Sequence, residues 1–134
     1  MSYEAEIMVI DDNLGDANLL AEAFKLNGSF SRLISIRNGF EAISQLRDNL
    51  EKGLGLPDLI VLDLKMPHMD GFSVIHEIME IPALSALRII VLTSSDDETD
   101  KELALSLGAG QYLIKPGRFD GWLKLAAEID ALAR

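Results

Sequence analysis

Four runs of consecutive apolar residues punctuate the chain: Ile7-Met8-Val9-Ile10, Leu59-Ile60-Val61-Leu62, Ile89-Ile90-Val91-Leu92 and Tyr112-Leu113-Ile114. Continuous rather than alternating runs are what parallel strands covered on both faces require. Leu33-Ile34-Ser35-Ile36, set between Arg32 and Arg37, is a fifth strand whose polar neighbours suit a sheet edge. Between the runs the apolar spacing turns helical. Asp16 to Leu26 aligns Leu19, Leu20, Ala23 and Phe24 on one stripe, and Gly28 closes it just past the C-cap. Phe40 to Leu50, Gly71 to Glu80, Asp96 to Leu107 and Gly121 to Ala133 follow the same pattern, with Ser95 and Glu98 spaced as a capping box and Gly108 as a stop. Strand and helix thus alternate five times. Right-handed crossovers turn that order into an α/β, flavodoxin-like doubly wound (βα)5 fold, with a five-stranded parallel sheet in the order 2-1-3-4-5.

Such sheets place their chemistry outside the carboxyl ends of the strands, where the strand order reverses. Strand one ends in Asp11-Asp12, strand three in Asp63, strand four in Thr93-Ser94-Ser95 and strand five in Lys115-Pro116. Strands one and three are neighbours in the expected order, so Asp11, Asp12 and Asp63 converge. Three converging carboxylates raise at least one pKa unless a cation lies among them, and hard oxygen donors suit Mg²⁺. Asp11 or Asp12 alone reads as a helix cap. Asp63 does not, because it closes a central apolar strand where an unpaired charge is costly. A carboxylate beside Mg²⁺ with a hydroxyl (Thr93) and an ammonium (Lys115) at the same sheet edge is arranged to accept a phosphoryl group.

Composition narrows the alternatives. The chain has 134 residues, enough for one domain with one core. Twelve Lys and Arg against 22 Asp and Glu leave a net charge of −10, which repels nucleic acid and anionic lipid. Neither partner is expected. There is no cysteine and there are only two histidines, His68 and His76, so thiolate chemistry and multi-histidine metal sites drop out. Both histidines read as solvated. The N-terminus has neither a basic nor an apolar signal region, and a cytoplasmic location is expected.

With these residues placed, the sequence resembles a response-regulator receiver domain of two-component signalling over essentially its whole length, 1–134. The motifs are Asp11-Asp12-Asn13, Asn38-Gly39-Phe40-Glu41-Ala42, the run from Pro57 through Asp63-Leu64-Lys65-Met66-Pro67 to Asp70-Gly71, Leu92-Thr93-Ser94, and Leu107-Gly108-Ala109 followed by Tyr112-Leu113-Ile114-Lys115-Pro116. Each is weak alone; in this order they are specific. The resemblance implies a phosphorylation switch rather than an enzyme, with Asp63 accepting a phosphoryl group from a sensor histidine kinase. It further implies Mg²⁺ held by Asp12, Asp63 and the Lys65 backbone carbonyl, with Asp11 acting mainly through water. Thr93 then moves toward the phosphate, Tyr112 turns inward, and the Lys115–Pro116 peptide is cis. Lys65 and Gly117-Arg118 depart from the common pattern, placing a cation beside the metal and a looser start before the last helix.

The long segment between the second helix and third strand is similar to stand-alone receivers that partner phytochrome-type kinases. The residues after Lys115 suffice for one helix, so no effector domain is expected, and output falls to a downstream protein target or a phosphotransfer protein. Trp122 and Phe119 suit either the last helix's core or a homodimer surface built from the fourth helix, fifth strand and fifth helix. Two rival classes share parts of the pattern. A haloacid-dehalogenase-type phosphatase needs Asp-x-Asp, whereas Lys65 follows Asp63 at that spacing. A flavodoxin-like carrier needs a hydroxyl- and glycine-rich loop after strand one, where Asp11-Asp12-Asn13 would repel a flavin phosphate. A third reading, a phosphate-independent scaffold, leaves the full set of site residues unexplained.

Overall fold

The computed structural model describes residues 3–134. Five strands, β1 (Glu6–Ile10), β2 (Arg32–Ile36), β3 (Leu59–Leu62), β4 (Ile89–Thr93) and β5 (Gln111–Ile114), form one parallel sheet in the order β2-β1-β3-β4-β5. Five helices connect and follow them: α1 (Leu14–Leu26), α2 (Gly39–Glu51), α3 (Gly71–Glu80), α4 (Glu98–Leu107) and α5 (Phe119–Ala133). This is the doubly wound order expected from the sequence.

The pleat divides each apolar run between two cores. Met8, Ile10, Ile60, Leu62, Ile89 and Val91 face one side and pack with α2 and α3 through Ala42, Leu46, Val74, Ile75 and Ile78. Ile7, Val9, Leu59, Val61, Ile90 and Leu92 face the other and meet α1 and α5 through Leu20, Phe24, Trp122 and Ile129. Burial on both faces is why these strands carry no polar alternation. On α1, Leu19 is exposed and Ala17 takes the buried place the sequence stripe gave it, at proper helical spacing from Leu20, Ala23 and Phe24. Trp122 is 3% exposed, which settles it as a core residue. α4 is the exception to deep docking, since Ala104 is its one fully buried side chain.

Caps set the helix starts. Asn13, Asn38 and Asp70 accept the backbone N–H three residues on at 3.0, 2.7 and 2.9 Å. The expected capping box from Ser95 to Glu98 does not form. Asp97 caps α4 by accepting from Thr99 N at 2.8 Å, while Ser95 Oγ instead accepts from Asp97 N and donates to Asp100. The nearer carboxylate closes a tighter ring, so the helix begins two residues later than its apolar pattern indicates. α5 begins at Phe119, earlier than expected, behind Arg118, which makes no side-chain cap bond. Lys115–Pro116 is trans, as are all other described peptide bonds. That step adopts the isomer an X–Pro amide prefers by about 0.5–1 kcal/mol.

Candidate functional site

The strands fix the site residues by extending their hydrogen-bond ladders one rung beyond the last strand residue. Asp11 N donates to Ile36 O at 3.0 Å, Asp63 N to Ile10 O at 3.0 Å, and Lys115 N to Thr93 O at 2.8 Å. Asp11, Asp63 and Lys115 are therefore held by the sheet's own backbone ladder, all at one end of the sheet. The turn after β3 is closed by Gly71 N, which donates to Leu64 O at 2.9 Å. A Cβ at Gly71 would collide with the Asp63 carbonyl oxygen and lie 2.7 Å from Leu64 Cα, so glycine is required for α3 to start this close to Asp63. His68, in the same turn, adopts φ 68° and is exposed, as expected of a solvated residue.

The expected convergence is present. One carboxylate oxygen from each of Asp11, Asp12 and Asp63 lies within 4.8 Å of the others, with Asp11 and Asp63 buried and Asp12 exposed. A cation also sits among them. Lys115 Nζ, with a side chain only 7% exposed, is 2.7 Å from Asp11, 2.8 Å from Asp16 and 3.1 Å from Asp63. Burial pushes the Asp11 carboxyl up from 3.8 to about 6, against the lowering influence of Lys115 and of the hydrogen bond it accepts from Asn13 N at 2.9 Å. Burial would depress the Lys115 ammonium, yet its bonds to Asp11 and Asp16 hold it above the usual lysine value. Lys115 is thus a buried, carboxylate-paired cation and not a solvated side chain.

The donor set fits a divalent cation. It is all oxygen, and Lys115 brings one positive charge against the three carboxylates of the cluster, which leaves an excess of negative charge for a metal ion to balance. Asp63 Oδ1 also accepts from Lys65 N at 3.3 Å, which keeps that residue's backbone beside the cluster while its side chain is exposed. Thr93 is fully buried at the end of β4, directly next to β3. Tyr112, on β5, is half-buried against the α2–α3 core, and its hydroxyl donates to Ser95 O at 2.8 Å. Burial raises the Tyr112 pKa above its ordinary value. The residue on which the switch expectation rests is thereby tied to the loop that follows Thr93.

Asp16 was not singled out as a site residue by the sequence. The Asn13-to-Asp16 spacing reads as a helix start, and Asn13 does cap the Asp16 amide. The available signal was its position one helical turn beyond Asp12, on the part of α1 nearest the strand ends. Asp130, buried on α5, was also unforeseen; it accepts from Ser31 Oγ and pairs with Arg134, outside the cluster.

The fold and this cluster define a phosphate-responsive signalling module, and the chain belongs to the response regulator receiver domain family, whose model matches residues 7–126. Among curated proteins it is 34% identical over 123 residues to a probable methanogenesis regulatory protein, FilR2, of Methanothrix harundinacea, covering 92% of this chain and 79% of that one. It is 31% identical to the response regulator Rcp1 of Synechocystis, covering 93% of this chain and 86% of Rcp1. The crystal structure of the Mn²⁺-bound form of Rcp1 superposes with a TM-score of 0.83 at 30% identity, over 95% of this chain and 92% of that one. The phosphorylated cyanobacterial phytochrome response regulator RcpA gives a TM-score of 0.87 at 28% identity, over 98% and 94%. Among the described residues, no helix is long and apolar enough to cross a membrane.

Proposed function

We propose that Asp63 is the phosphoacceptor of this receiver, that Mg²⁺ is its working cation, and that Thr93 and Tyr112 transmit the phosphorylated state. The observation that carries the reading is the juxtaposition of Asp63 with the Asp11–Asp12 pair and the buried Lys115 ammonium at the ends of β1, β3 and β5. Asp12, Asp63 and the Lys65 carbonyl would hold the cation, with Asp11 acting through water. When bound, the cation neutralises the carboxylates and the incoming phosphoryl oxygens.

The chain's own residues do the rest. A carboxylate oxygen of Asp63 attacks phosphorus, the P–N bond of a donor phosphohistidine breaks, and the imidazole leaves and takes up a proton. Lys115 holds one phosphoryl oxygen and the Thr93 hydroxyl another. Drawing Thr93 toward the phosphate pulls on the loop that Tyr112 grips at Ser95, which offers a path from the site to the β4–α4 surface. A sensor histidine kinase is the donor, and the likeness to Rcp1 and RcpA supports one of the phytochrome type. Output passes to a downstream protein or a phosphotransfer protein, with self-association through α4, β5 and α5 as a further route.

Incubation with Mg²⁺ and a small-molecule phosphodonor, followed by intact mass measurement, tests the assignment. Wild type gains one labile phosphoryl group and Asp63→Asn gains none. A labile phosphoryl group on the Asn variant at wild-type level refutes the site.

A further inference from the structure

We propose that Asp16 is a positioning residue for Lys115: it keeps the ammonium partnered when a divalent cation draws on Asp63 directly and on Asp11 through water. The inference rests on the cation site proposed above. A lysine ammonium has three N–H donors, and Lys115 directs its charge at three carboxylates, Asp11, Asp16 and Asp63, at 2.7, 2.8 and 3.1 Å. Two of these, Asp11 and Asp63, also belong to the oxygen cluster suited to a cation, whereas Asp16 does not. The same oxygens cannot serve the ammonium and the metal equally, and two cations in one small site repel.

At only 7% exposure, the Lys115 side chain has little access to water when it is displaced. Left without a carboxylate, it would be a buried, poorly paired charge, and every metal-binding event would carry that cost. Asp16 removes it. Its carboxylate stands in the first turn of α1, its backbone N–H is held by Asn13 at 3.0 Å, and its side chain is 26% exposed. The ammonium can therefore rest on Asp16 while remaining within reach of Asp63, ready for a phosphoryl oxygen. Asp16 touches neither the reacting atoms nor the metal; it acts through Lys115.

Trp122, the sole tryptophan, lines the small gap beside Asp11, Asp16 and Asp63, so its fluorescence is followed together with isothermal titration calorimetry, which detects cation binding without any phosphorylation. Mg²⁺ is titrated into wild type, Asp16→Asn, Asp16→Glu, Lys115→Gln and the Asp16→Asn, Lys115→Gln pair, each checked for folding by circular dichroism. Asp16→Asn is expected to weaken Mg²⁺ binding about ten- to a hundredfold, the size expected when a charged group loses its hydrogen-bond partner. Asp16→Glu stays within about twofold of wild type, and in the Lys115→Gln background the Asp16→Asn loss falls below about twofold. An undiminished loss in that background overturns the proposal, because Asp16 would then act on the metal directly; so does a change below about twofold in the wild-type background. Should Lys115→Gln not fold, the Lys115 Nζ resonance replaces the cycle. It is expected to stay hydrogen-bonded at saturating Mg²⁺ in wild type and to be lost to solvent exchange in Asp16→Asn, and its persistence in the variant overturns the proposal. If wild type itself shows no titration at millimolar Mg²⁺, the cation site proposed for the receiver fails instead.

Discussion

Asp11→Asn should make the metal-free protein more stable while damaging its response to metal. The Asp11 carboxyl is raised from 3.8 to about 6, chiefly by burial, even with Lys115 at 2.7 Å. At 1.36 kcal/mol per pH unit that rise corresponds to roughly 3 kcal/mol by which the folded state disfavours the charged form. The sign follows from proton uptake. Between the two values the native state holds more protons at Asp11 than the unfolded chain, so this group's contribution to stability is fully present below pH 3.8 and is lost as pH rises through about 6. Asparagine mimics the neutral carboxyl and does not titrate. The variant's advantage in chelator should therefore be small near pH 4, grow through pH 5, and level off above pH 6.5 at about 2–3 kcal/mol, or roughly 5–10 °C in Tm for a domain of this size. Urea denaturation at a series of pH values, with chelator throughout, measures it. In Mg²⁺ at ten times its dissociation constant wild type regains about 1.4 kcal/mol, and the variant regains less. If Asp11→Asn is less stable than wild type at pH 7 in chelator, the ion pair with Lys115 outweighs burial and the reasoning is wrong.

Three further outcomes are expected. Thr93→Ala should still take up one phosphoryl group by intact mass, but the phosphate-dependent amide shift changes of Ser94 to Thr99 should largely vanish in NMR spectra; full-sized changes would sever Thr93 from the switch. Tyr112→Phe removes the 2.8 Å bond to Ser95 O and should cost about 1 kcal/mol in urea denaturation, with the Ser95–Asp97 amides shifting before any phosphate is added. Gly71→Ala should lose about 2–4 kcal/mol, because the colliding atoms are backbone and cannot swing aside; a loss below about 0.5 kcal/mol would mean the turn relaxes freely.

Much of this was legible in the sequence because parallel sheets encode themselves crudely: a continuous apolar run is a buried strand, and the first polar residue after it marks a strand end. Asp63, Thr93 and Lys115 could be placed at one edge on that basis alone. What escaped was pairing. The position of Asp16 one turn beyond Asp12 puts it near the strand ends but does not by itself separate a cap-adjacent carboxylate from a partner for a lysine 99 positions away. The Ser95–Glu98 expectation failed for a related reason. Several acidic residues compete for the same helix start, and the winner, Asp97, is decided by loop geometry that periodicity does not carry. The surface reading of Trp122 was open in sequence because an amphipathic helix pattern gives a stripe but not the depth of the groove that receives it.

The shallow seat of α4 has a consequence for where the molecule comes apart first. A buried alanine and the half-buried Leu107 offer little apolar area, so detaching this helix forfeits only a fraction of what global unfolding does. The domain is therefore built with a pre-set fault line along one helix, while β1, β3 and β4 remain clamped on both faces. A partner or a chemical mark can exploit that line at low energetic expense.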